Sequence, residues 1–96
     1  MFDKMKQLME MKRQAEAIKK ELDASSVEVT DVRGIKIVIN GSQNFQSIQI
    51  DEALCSPQNK TKLEAELLRG ANAAISQSQK IAAQKMKTLM PGFPGL

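Results

Sequence analysis

The sequence predicts an α+β domain of order α-β-β-β-α, a three-stranded antiparallel meander flanked by two long helices. Three observations carry that prediction. Apolar residues recur three and four apart from Met1 to Leu22, alternate with polar ones between Ser26 and Asp51, and return to helical spacing from about Pro57 to Leu89. The middle segment is rich in β-branched residues and is broken by two glycine-containing turns. Its 96 residues, 42% hydrophobic and 26% charged, have the length and composition of a single soluble domain.

The first helix is predicted from about Asp3 to Asp23. Its seam is Met1, Leu8, Met11, Ala15, Ile18 and Leu22, with Lys4 the one polar interruption. The segment contains neither Gly nor Pro, and Asp3 is a plausible N-cap. Four of the six methionines, Met1, Met5, Met9 and Met11, fall here. At helical spacing they read as packing residues, with an adaptable binding surface as the other reading.

Val27 and Val29 give a short first strand, and Arg33-Gly34 the turn after it. Ile35, Ile37 and Ile39 alternate with Lys36 and Val38 in the second strand. Asn40-Gly41 suits a two-residue type I′ turn, which would pair position 39 with 42. Parity then puts Ile48 and Ile50 on the face of Ile35, Ile37 and Ile39, and Phe45 on the other.

Ser56-Pro57 reads as N-cap and first residue of the second helix, with Thr61 and Glu64 as an alternative capping box. The predicted seam is Leu68, Ala71, Ile75, Ser78, Ala82 and Leu89, flanked by Leu63, Leu67, Ala74, Ile81 and Met86. Gly70 costs that helix about 1 kcal/mol against Ala. Residues 1–90 form the domain, and Pro91-Gly92-Phe93-Pro94-Gly95-Leu96 is expected to be a mobile tail. A six-residue strand spans about 20 Å and a thirty-residue helix about 45 Å, so the sheet cannot cover the second helix. Either the two helices cover each other beyond the sheet or a second copy does, and a closed homodimer is the expected solution.

Composition excludes much chemistry. With no His, Trp or Tyr and one Cys, most metal sites, imidazole-based triads and aromatic stacking platforms lack their parts. Cys55 has no His to activate it and is expected to be a small buried apolar residue. Asp51-Glu52 is not a working carboxylate pair, because neighbours on an extended chain point opposite ways. The glycines are isolated, so no phosphate loop is present. No catalytic residue, metal, cofactor or small-molecule substrate is expected. A single cysteine suits a reducing compartment, and no signal peptide or membrane span is legible, so a cytoplasmic protein is expected.

The formal net charge of +3 is unevenly spread. Residues 1–23 carry +1, residues 24–57 carry −2 and residues 58–96 carry +4, with no acidic residue after Glu66. On a helix Arg69, Lys80 and Lys87 fall within about 40° of one another, a stripe free of carboxylates. Lys85 lies in the same basic stretch. On the first helix Lys6, Arg13 and Lys20 share a line, while Glu16 sits between Lys12 and Lys20. Such an uncancelled stripe suits a phosphate backbone; a solvated helix face is the bland alternative.

The run Gly34 to Asp51, G-I-K-I-V-I-N-G-S-Q-N-F-Q-S-I-Q-I-D, resembles the YbaB/EbfC family of bacterial nucleoid-associated proteins. Leu54, Leu63-Glu64, Asn72 with its flanking alanines, Gln84-Lys85-Met86, Pro91-Gly92-Phe93 and the opening Met1-Phe2 before a Met-, Gln- and Lys-rich helix are similar too. The resemblance implies a tight homodimer through the sheet with projecting, tweezer-like helical arms, and binding of double-stranded DNA with little sequence preference in the nucleoid, with a possible influence on gene regulation. The chain departs from the family pattern in three places. It lacks a Gly-rich N-terminal stretch, its first strand-to-strand loop is short, and Gln46 and Ser47 stand where third-strand basic residues are common. The DNA contacts are therefore expected on the helices, from Lys6, Arg13, Lys20, Arg69, Lys80, Lys85 and Lys87. A scaffold protein that docks a partner through the Met-rich first helix is the alternative function.

Overall fold

The computed structural model describes residues 2–89, and the predicted tail and the boundary at residue 90 lie outside them. Helix α1 runs Phe2–Ala24, strands β1, β2 and β3 run Ser26–Val29, Ile35–Asn40 and Phe45–Ile50, and helix α2 runs Lys60–Leu89. Two single 3-10 turns, Glu52–Leu54 and Pro57–Asn59, join β3 to α2. The predicted order holds. Ser56 does not cap the long helix: Pro57 opens a 3-10 turn, and α2 begins three residues later at Lys60.

The sheet has the order β1-β2-β3, antiparallel throughout. Ile35, Ile37 and Ile39 of the central strand are 3%, 1% and 0% exposed and form the core with Val29, Val32 and Ala74. Burying such side chains stabilises by about 1.5–3 kcal/mol each. Ile37 pairs with Ile48 and Ile35 with Ile50, so those two isoleucines share the core-side face as parity predicted.

The turn is not the one predicted. Asn40 stays in β2, and the loop Gly41–Asn44 closes with Gln43, at φ 64°, as the left-handed residue. Gln43 N–H donates to Asn40 O at 3.2 Å, the pattern of a type I turn followed by a left-handed residue. A register shift follows, so Ile39 faces Phe45, and Phe45 lies with the core-side residues and not behind them. Gly41 serves another purpose. A Cβ there would meet Leu22 Cδ2 at 3.0 Å and Leu22 O at 3.2 Å, and its N–H donates to Leu22 O and Ser25 O at 3.0 and 2.9 Å. The glycine lets the end of α1 press against the hairpin backbone.

The α2 seam also differs. Its buried line is Gly70, Ala74 and Ser78, rotated from the predicted one, while Leu68 is 65% exposed and Leu89 45%. Small residues at spacing four let the helix axis come close to the sheet; a Cβ at Gly70 would already lie 3.2 Å from Ile37 Cδ1. The larger residues predicted for the seam sit to one side. Cys55, expected to be buried, is exposed. The polypeptide measures 67 × 19 × 17 Å, because α1 and the end of α2 extend well beyond the sheet.

Candidate nucleic-acid interface

The joint between arm and body is built on Asn40, which is 5% exposed. Its Oδ1 accepts from the N–H groups of Ser42 and Asn44 at 3.0 Å each, and its Nδ2 donates to Asp23 O at 3.3 Å. Ser78 Oγ, fully buried on α2, donates to Asn40 O at 2.8 Å. One side chain and its carbonyl thus connect α1, the hairpin and α2, and no buried side-chain polar atom among the described residues lacks a partner. Beside it Ser42 Oγ donates a short hydrogen bond to Asp23 Oδ1. That bond, and then the one from Lys19, hold the Asp23 carboxyl below its ordinary pKa.

Beyond this joint the two helices run antiparallel, and charge closes the gap between them. Lys85 Nζ lies 2.9 Å from Glu21 Oε1, 64 residues apart in sequence. Lys85 is half-buried, facing α1. Farther out α1 has no neighbour among the described residues, and every residue from Asp3 to Ala17 is exposed. Met5, Leu8, Met9 and Met11 are 64%, 66%, 65% and 55% exposed, so the methionines do not fill a stripe inside the protomer as packing residues would.

The seven candidate cations therefore divide. Lys6, Lys20, Lys80 and Lys87 are exposed, with no carboxylate within 4.0 Å among the described residues. Arg13 is exposed and 3.6 Å from Glu10. Lys6, Arg13 and Lys20 lie opposite the Ile18 and Leu22 line that faces the body, at about 100° per residue. Arg69 stands apart. It pairs with Glu66 at 3.3 Å and lines a hollow of about 300 Å³ at the sheet end, with Arg33, Lys62, Asp51 and Leu54. Two carboxylates share that hollow with its three cations, and Arg69 is about 16 Å along the helix from Lys80.

Charge is segregated along the molecule. The arm, residues 2–23 with 80–89, carries nine Lys and Arg against five Asp and Glu; residues 24–79 carry five against six. No group of three or more His, Cys, Asp or Glu among the described residues could hold a metal ion, and no described helix is long and apolar enough to cross a membrane.

The model of the YbaB/EbfC DNA-binding family matches residues 1–93. The chain belongs to the YbaB/EbfC DNA-binding family. It is similar to a nucleoid-associated protein of Chloroflexus aurantiacus, 33% identical over 93 residues that cover 96% of this chain and 93% of the other. One from Moorella thermoacetica is 32% identical over 95 residues, covering 93% and 91%. One from Desulforamulus reducens is 34% identical over 95 residues, covering 96% and 90%. The family is a DNA-binding one.

Sequence reasoning found the cations of the arm but not the use of Lys85. The missing signal was pairing between elements: Glu21 and Lys85 are complementary, yet only the antiparallel packing of α1 on α2 brings them together.

Proposed function

We propose that this protein binds double-stranded DNA through its helical arm as a nucleoid-associated protein of the cytoplasm, with little sequence preference and with an effect on gene regulation. The observation that carries the reading is the segregation of charge: the elongated arm holds the excess of cations, and the sheet body is slightly acidic. Lys6, Lys20, Lys80 and Lys87 are the primary phosphate contacts, free to reach an anion without breaking a pair. Arg13 joins them at the cost of a weak exposed pair to Glu10. Lys85 fixes the arm, and Arg69 serves the sheet end. Lysine contacts to phosphate position a protein without reading bases, hence the low specificity.

The working unit is a homodimer. Strand β3 is a sheet edge with Phe45 and Ile48 exposed at 45% and 48% on the core-side face, and Leu68 of α2 is uncovered as well. An apolar edge of this kind is normally paired or covered. Two protomers joined there carry two arms and a net charge of twice +3.

Fluorescence anisotropy on a random-sequence duplex tests the reading. Binding weakens with salt, log K falling by about 0.9 for each phosphate neutralised per unit log salt. Absence of binding at low salt, or binding indifferent to salt, contradicts it. The alternative of a scaffold docking a partner helix has the exposed Met5, Leu8, Met9 and Met11 in its favour. It is distinguished by capture of a protein that survives nuclease treatment and is lost when Met5 and Met9 are replaced.

A further inference from the structure

Between the end of α1 and the last turns of α2 lies a groove of about 620 Å³, lined by Ser25 and Ser26 on one side and by Ile81, Gln84, Lys85 and Thr88 on the other. Its walls carry three hydroxyls, one side-chain amide and one ammonium, and no carboxylate lines it. The hollow at the sheet end differs, because Asp51 and Glu66 stand there among the cations. The Lys85 ammonium is held by Glu21 Oε1 at 2.9 Å, so the groove offers a ligand chiefly neutral donors. Its hydroxyls make single bonds at the surface: Ser25 Oγ donates to Glu21 O at 2.7 Å, Ser26 Oγ to Gln46 Oε1 at 2.6 Å and Thr88 Oγ1 to Gln84 O at 3.1 Å. The exposed Gln84 amide has no hydrogen-bond partner among the described residues.

Gln84 also stands among the free cations of the arm. It follows Lys80 by four residues and precedes Lys87 by three, the two spacings that make neighbours on one helix face. Lys80 and Lys87 are about 10 Å apart along the axis, and the groove opens beside the stretch between them.

We propose that this groove seats the sugar-phosphate backbone of the duplex strand that Lys80 and Lys87 hold, with Gln84 Nε2 and the Thr88 and Ser26 hydroxyls donating to phosphate oxygens. The seat rests on the reading of the arm as the DNA-binding element. An ammonium on a long stem attracts phosphate over a range of positions; neutral donors at fixed places set the register of the strand between the two lysines. Thr88 exchanges a bond within its own helix for one to phosphate, and the Lys85–Glu21 pair holds the two walls of the groove together. Because the donors are neutral, they displace no counterions from the DNA. Contacts to the backbone alone also leave sequence preference low.

Anisotropy titrations of the full chain on an A+T-rich and a G+C-rich duplex, across a salt series, test the proposal. Q84A/T88V binds about tenfold more weakly at every salt concentration on both duplexes, with the wild-type slope in log salt and unchanged helix content by circular dichroism. T88S, which restores the hydroxyl, binds as the wild type does, and K80E/K87E lowers the slope. Wild-type affinity in Q84A/T88V overturns the seat, and K80E/K87E weakening in the same series then leaves the arm reading standing. A loss accompanied by a changed slope overturns it by showing that the groove acts through charge. A loss confined to one duplex overturns it by showing a base contact. A wild type that binds neither duplex removes the arm reading and the seat with it.

Discussion

Along α2 the molecule changes character within a few turns. Over Gly70, Ala74 and Ser78 the helix offers small residues, and the isoleucines of β2 fill the space against them. From Ile81 to Leu89 it offers Lys85 to Glu21 of α1, and past that point α1 has no described neighbour. The body is held by apolar volume with its charges nearly balanced; the root of the arm adds a polar joint and an ion pair to the packing of Ile18 and Leu22, with the arm's cations left over. The apolar core and the surplus of cations are thus separated in space. Changes in one region should leave the function of the other nearly intact.

The largest effect expected from breaking this division is in the body. Ile37→Ala, at 1% exposure in the central strand, should cost about 2–5 kcal/mol in urea unfolding, because the surrounding sheet and helix cannot collapse into the space. Gly41→Ala comes next. The added methyl would meet a backbone oxygen of Leu22 at 3.2 Å, so α1 must shift, at a cost of about 1–3 kcal/mol and with faster hydrogen exchange near Leu22 to Ser25. Gly70→Ala sharpens the comparison, because its methyl would meet the tip of the Ile37 side chain, which can move, and the gain in helix propensity offsets much of the strain. Lys85→Ala removes a part-exposed pair and should change thermal stability by less than about 1 kcal/mol.

The smallest effect is at the joint. The Asp23 carboxyl is held below its ordinary value, so its folded form stabilises above the unfolded pKa and loses that contribution as pH falls through the folded one. Ser42→Ala, which removes the chief donor, should be less stable than wild type at neutral pH. The two should converge as the pH drops below the ordinary carboxyl value of 3.8, followed by acid titration of the circular dichroism signal.

Much of this was legible in the sequence because each element carries its own period. The isoleucines alternate in β2 and the helices have no internal proline, so element order, core strand and cation positions follow from local pattern alone. Three features were not legible, and each depends on two distant segments meeting. Asn40-Gly41 looks like a hairpin turn, but the approach of Leu22 decides what the glycine is for, and the Asn40 side chain organises the loop from within the strand. The α2 stripe is wider than one neighbour can cover, so its centre could not say which edge meets the sheet. Lys85 looks like its neighbours Lys80 and Lys87 until α1 is placed beside it.

The segregation of charge is the central claim, and one paired titration tests it. The salt dependence of duplex binding is measured for K80E/K87E on the arm and for R33E/K62E on the body, with solution mass recorded for both. The account predicts that the arm variant loses affinity for every sequence alike, its slope in log salt smaller by about 1.8 per protomer, with mass unchanged, while the body variant binds as the wild type does. Equal losses from both variants, or a loss confined to the body variant, would contradict it.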